Sequence, residues 1–184
     1  MIKIFLDTEF TGLHQKTTLI SIALVAETGE EFYAEFTDYD TSQIIPWLEG
    51  NVLNKLNKKL PKVLGIDLTQ TKIHLKGNRA EIKETLNKWF TRFEFVEIWS
   101  DVLAYDWVLF CELFGGALAI PQNIFYIPFD LSTLFRIKGM IEPSSKYAKD
   151  ISRFDYTGTD KSKQHHALED ARVQLLCYDK MMKI

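Results

Sequence analysis

The chain has 184 residues, 46% of them hydrophobic and 13% aromatic, which is enough for one globular domain over residues 1–184 to bury a core without disulfides. A formal charge of −3 argues against the broad basic face that grips long duplexes, but it leaves room for a locally charged nucleic-acid site. No apolar stretch nears the roughly 18 residues of a membrane span, and the N-terminus opens straight into a short strand-like run, so no membrane contact and a cytoplasmic location are expected.

Ile2 to Asp7, Leu19 to Ala26 and Glu31 to Phe36 read as strands, with the Glu27-Thr28-Gly29-Glu30 stretch as a hairpin turn between the second and third. They predict an antiparallel meander. Ser42 to Leu60 has the spaced apolar residues of a helix, limited by Pro46, and reads as structural. Asn78 followed by Glu81 predicts a capped helix whose inner face is Ile82, Leu86, Trp89, Phe90 and Phe93. Phe95 to Trp99 is strand-like. A further helix begins between Val102 and Tyr105, carries Asp106 early, and stops at Gly115-Gly116. Ile124 to Ile127 predicts a short strand and Ser132 to Ile137 a small helix. The last helix runs from about His166 to Met182, with Leu168, Ala171, Leu175, Leu176 and Met182 facing inward. Cys111 and Cys177 lie in apolar helical runs without a CxxC partner, which fits buried thiols rather than zinc ligands. The order implies an α/β fold, in which an antiparallel meander followed by parallel strands forms a mixed sheet flanked by helices.

The chemistry lies in the acids. Asp7 and Glu9 are two residues apart at the end of the first strand and project from one face. Like charges so placed repel unless a cation lies between them, and oxygen ligands suit magnesium or manganese. Taken alone, Asp7 to Gly12 also reads as a polar passage from strand to loop. Asp170 lies among Ala167, Leu168 and Ala171 in the last helix, where it either joins such a site or pairs with Arg172, Lys163 or Arg153.

Asp7-Thr8-Glu9-Phe10-Thr11-Gly12, Ala104-Tyr105-Asp106-Trp107, and His165 followed five residues later by Asp170-Ala171 resemble, in order, the three motifs of the DEDD superfamily of 3′-to-5′ exonucleases in its histidine-containing branch. Leu19 to Ala34, Trp99 to Gly115 and His165 to Arg172 are more closely similar to the RNase AS group, bacterial exoribonucleases that prefer adenosine. Gly65 to Lys76 and Gly139 to Gln164 stand outside the resemblance.

The resemblance implies an RNase H-like fold and a 3′-to-5′ exoribonuclease that releases 5′-mononucleotides from single-stranded RNA, with two divalent ions, Mg²⁺ or Mn²⁺, held by Asp7, Glu9, Asp106 and Asp170. Asp7 is expected to bridge the ions, Glu9 and Asp170 to serve the one beside the attacking water, and Asp106 the other. A DNA exonuclease or an oligoribonuclease shares this chemistry, and a catalytically inactive nucleic-acid-binding domain is the reading from another class. For the general base, helical spacing favours His166, four residues before Asp170, whereas the family pattern favours His165, the residue assigned. Thr8, Phe10, Thr11, Gly12 and Tyr105 are the expected contacts to the terminal nucleotide, Trp107 is a weaker candidate, and Trp99 is assigned to the core. The stretch from Gly139 to Gln164 is expected to form a lid whose Lys146, Lys149, Arg153, Lys161 and Lys163 meet the nucleic-acid backbone. His14 and His74 are assigned no function. A homodimer is the assembly that the resemblance suggests.

Overall fold

The computed structural model of the chain describes residues 1–57, 59–63, 67–141 and 151–184. Its strands are β1 (Ile2–Phe10), β2 (Leu19–Ala26), β3 (Glu31–Phe36), β4 (Lys72–Gly77), β5 (Val96–Ser100) and β6 (Phe129–Asp130). They form a mixed sheet in the order β4-β3-β2-β1-β5-β6. β2 pairs antiparallel with both β1 and β3, and the remaining pairings are parallel. This is the expected meander followed by parallel strands, and it is consistent with an RNase H-like fold. Every residue of β2 is buried, which explains its near-continuous apolar run: the strand is covered on both faces.

The helices are α1 (Pro46–Asn51), α2 (Arg79–Phe90), α3 (Ala104–Phe114), α4 (Leu131–Ile137), α5 (Arg153–Thr157) and α6 (Ala167–Met181). Helices α2 and α3 cover one face of the sheet, packing Leu86, Trp89 and Phe110 against Ile4, Leu6, Leu24 and Phe32. On the other face, Phe5 meets Leu131, Phe135, Phe154, Val173 and Cys177 from α4, α5 and α6. Burying each such side chain contributes about 1.5–3 kcal/mol, so strand alternation fixes which helix each residue of β1 faces. Asn78 and Glu81 close a capping box at the start of α2, and α3 ends at Gly115, whose φ of 102° is open to a glycine without strain.

Several expectations are corrected. Ile124 to Ile127 is not a strand; Ile124 makes an isolated bridge to Val96, and the edge strand is Phe129–Asp130, after Pro128, which has no N–H to give a ladder. Neither β4 nor α5 is among the elements expected from the sequence, although β4 buries Ile73 and Leu75 in strict alternation. Ser42 to Leu60 is broken into the 3₁₀ turns Thr41–Gln43 and Leu53–Lys55 around α1, with Pro46 at the helix start. Leu176 and Met182 face solvent, while Val173, Cys177 and Met181 take the inward positions. Gly65, Lys146 and Lys149 lie outside the described residues. Among the described residues, no helix is long and apolar enough to cross a membrane.

Candidate active site

Because β1 alternates, Phe5, Asp7 and Glu9 face α6, whereas Leu6 and Thr8 face α2 and α3. The acids are therefore gathered from both sides of one strand. On the α6 side, Asp7, Glu9 and Asp170 each offer a carboxylate oxygen, and these oxygens all lie within 4.8 Å of one another. Asp170 sits in the first turn of α6, where its Oδ2 accepts the His166 N–H at 2.9 Å. Gln174, one turn further along the same face and 3% exposed, donates from Nε2 to Asp7 Oδ1 at 2.9 Å.

Asp106 reaches the site from the opposite side. Its Oδ1 accepts the Thr8 N–H at 3.0 Å and the Thr8 hydroxyl at 2.5 Å, and its Oδ2 accepts the Ser100 hydroxyl at 3.2 Å. Asp106 stands outside the tight trio but lines the same cleft. The three cations weighed as partners for Asp170 are engaged elsewhere. Arg172 makes a two-pronged contact with Glu31 at 3.0 and 2.7 Å, Lys163 pairs with Glu169 at 3.2 Å, and Arg153 pairs with Asp101 at 2.9 Å.

Burial and mutual repulsion hold these carboxyls against ionisation. Burial pushes Asp7 well above the usual carboxylate range, and the charges of Asp170, Asp106 and Glu9 add to the effect. Burial and then Asp170 raise Glu9 to about 8. Asp170 rises to about 7 and Asp106 to about 6, burial being the first cause in both and hydrogen bonds opposing it. An all-oxygen donor set under this strain fits hard divalent cations, whose charge would relieve the repulsion.

The cleft above the acids has a volume of 480 Å³. Thr8, Phe10, Thr11 and Gly12 line it, as do His165 and an apolar wall of Leu13, Ile45, Trp47 and Leu48. Tyr105 does not line this cleft; it stacks on Phe10 from behind, with centroids 5.4 Å apart, and faces a neighbouring hollow beside His14 and Arg79. Thr11 is tied down on two sides, donating to Gln43 Oε1 of the 3₁₀ turn Thr41–Gln43 at 2.5 Å and accepting the Thr18 N–H of its own loop at 2.9 Å.

The two adjacent histidines take different places. His165 lines the cleft with a left-handed backbone, φ 63°, and lies against Trp47 edge to face at 5.1 Å. His166 stacks on Tyr33 at 4.9 Å. Burial lowers the pKa of both, which leaves each imidazole neutral and able to take a proton near pH 7.

Trp99 packs beside the core cluster around Phe5 and stacks on Phe129 at 4.9 Å, while Trp107 stacks on Phe110 at 5.5 Å. His14 is exposed, and His74 is half-buried against Glu31. Of the expected lid cations within the described residues, Arg153, Lys161 and Lys163 are held in ion pairs with Asp101, Asp155 and Glu169. Ile45, Trp47 and Leu48 are not among the residues expected at the site, because a short apolar segment broken by proline gives no sign of which face it shows. Gln174 was also not singled out in the sequence, although its place four residues after Asp170, on the same side of a helix, was a signal that could have found it.

A family model described as the 3'-5' exoribonuclease Rv2179c-like domain matches residues 2–182. The chain is similar to 3'-5' exoribonuclease Rv2179c of Mycobacterium tuberculosis (strain ATCC 25618 / H37Rv), 30% identical over 174 residues, covering 93% of this chain and 88% of that protein. It is equally similar to 3'-5' exoribonuclease MT2234.1 of Mycobacterium tuberculosis (strain CDC 1551 / Oshkosh), with the same identity and coverage.

Proposed function

The chain belongs to the Rv2179c-like 3'-5' exoribonuclease domain family, and from that membership we propose that it removes 5′-mononucleotides from the 3′ end of single-stranded RNA in a reaction dependent on two divalent cations. The observation that carries the metal part of this reading is the trio of Asp7, Glu9 and Asp170, whose oxygens lie within 4.8 Å of one another beneath a cleft that Asp106 also lines.

Asp7, Glu9, Asp106 and Asp170 would hold Mg²⁺ or Mn²⁺. When bound, these ions supply the positive charge that offsets charge growing on the phosphodiester and on the departing 3′-oxygen. His165, neutral in the cleft, takes the proton from the attacking water. Trp47 and Phe10 offer faces on which the terminal base rests. The acid set, the histidine and the cleft support placing the chain in the histidine-containing DEDD branch as a single exonuclease domain, and the resemblance of Leu19 to Ala34, Trp99 to Gly115 and His165 to Arg172 to the RNase AS group is the ground for an adenosine preference.

The test is digestion of 5′-labelled single-stranded RNA, with and without an oligoadenosine 3′ tail, beside the same sequence as DNA, in Mg²⁺ or chelator, with wild type and Asp7→Ala. The expected result is a cation-dependent ladder shortening from the 3′ end of RNA, fastest on the adenosine tail and absent in the variant. Faster digestion of DNA would move the assignment to a DNA exonuclease.

A further inference from the structure

His165 adopts a left-handed backbone conformation that L residues rarely take, and such conformations persist where the surroundings hold them from several directions. One hold follows His165: the next residue, His166, gives its N–H to Asp170 at 2.9 Å. The hold on the other side comes from far away in sequence. Lys55, at the end of the 3₁₀ turn Leu53–Lys55, donates from Nζ to the carbonyl of Gln164, the residue just before His165.

Lys55 is itself fixed at its base. Three residues earlier, Val52 is buried with Leu48 and Ile20 of β2. Two residues later, the Asn57 N–H donates to Glu35 Oε1 of β3 at 2.6 Å. The same segment carries Trp47, whose ring lies against the His165 imidazole. The ammonium also lies close enough for its charge to act on Glu9, Asp170 and His165.

We propose that Lys55 is a positioning residue for His165: by holding the Gln164 carbonyl, it locks the left-handed turn that keeps the imidazole in the cleft. The catalytic part of this inference rests on His165 being the general base; the positional part does not. Trp47 lies against the imidazole from the same segment, while Lys55 fixes the backbone that carries it.

Two measurements test it. In the metal-free protein without RNA, the His165 ring-proton resonances carry a ring-current shift from Trp47, and in Lys55→Met that shift is expected to collapse toward the value of a free histidine while Lys55→Arg retains most of it. Unchanged ring-proton resonances in Lys55→Met would overturn the proposal. In RNA digestion, Lys55→Met is expected to lower kcat roughly tenfold to a hundredfold with KM moved less than about threefold, and to cost less than about threefold in a His165→Ala background. Equal losses in both backgrounds would overturn the action through His165. Full activity of His165→Ala alone would instead remove His165 as the base, and the resonance measurement would still decide whether Lys55 positions it.

Discussion

Thr8 gives both its backbone N–H and its hydroxyl to one oxygen of Asp106, at 3.0 and 2.5 Å, across 98 residues of chain. A strand residue on the face turned away from Asp7 and Glu9 is thus what brings the fourth acid to them. Thr8→Val keeps the shape and the backbone donor but removes the hydroxyl. Because the hydrogen bond serves a buried carboxylate, the variant is expected to lose about 1.5–3 kcal/mol of stability and to bind Mn²⁺ about 10–100-fold more weakly. Chemical denaturation and calorimetry measure the two, and a variant matching wild type in both would mean that Asp106 needs no such support.

The raised carboxyls set how the metal-free protein answers pH. Glu9 at about 8, Asp170 at about 7 and Asp106 at about 6 all lie above their unfolded values, near 4, so the folded state binds more protons than the unfolded state between those limits. Their contribution is present below about pH 4 and is lost as pH climbs through the folded values. The lowered pKa values of His74, His165 and His166 act in the opposite direction, but only up to about 6.5, where the unfolded imidazole titrates. In chelator, the melting temperature is therefore expected to fall between about pH 6.5 and 8.5, at roughly 2–4 °C per kcal/mol for a chain of this size. Added Mn²⁺ should stabilise most at the high end. Scanning calorimetry across that range gives the sign, and a melting temperature that rises with pH in chelator would contradict the account.

Gln174 grips Asp7 Oδ1 from α6 and leaves the other oxygen of that carboxylate free of this bond. Gln174→Met fills similar space without the donor. Cation affinity is expected to fall about 10–100-fold, as is usual when the partner of a ligand is removed. Titration calorimetry with Mn²⁺ reads this directly, and wild-type affinity in the variant would show that the bond does not orient the site.

Trp47 is 51% exposed in a protein that buries most of its large aromatics, and it forms part of the cleft wall. Stacking on a base is worth about 1–3 kcal/mol, so Trp47→Ala should raise KM for short RNA by roughly 5–150-fold and change kcat far less. Steady-state kinetics on a short oligoadenosine substrate separate the two parameters. A loss confined to kcat would assign Trp47 to holding His165 rather than the base.

These residues also show what the sequence could and could not disclose. The meander, the capped helix and the glycine stop of α3 follow local rules, since each is fixed by side-chain spacing within a few residues. Asp7, Glu9 and Asp170 stood out because an acid beside another at a strand end, or inside an apolar helical turn, is unfavourable there without a partner. Those signals alone left other readings open, and Asp106 was reached only through the resemblance of Ala104-Tyr105-Asp106-Trp107 to the second exonuclease motif. Thr8 stands out for its place among the acids, but its bond to Asp106 depends on the pairing of two distant elements. Lys55 and Trp47 were hidden for the same reason: their segment reads as packing until the sheet and α6 are in place around it. The edge strand was misplaced because Ile124 to Ile127 is apolar enough for a strand, and apolar content does not register the missing N–H of Pro128.

The bond from Gln174 to Asp7 closes a span of 167 residues. A growing polypeptide therefore presents Asp7 and Glu9 early and then Asp106, which Thr8 and Ser100 hold, but the trio is complete only once Asp170 and Gln174 on α6 have been made and docked. Closing so wide a loop is slow relative to forming the meander. The acids of β1 thus wait for the last helix, and their assembly lags behind that of the sheet which carries them.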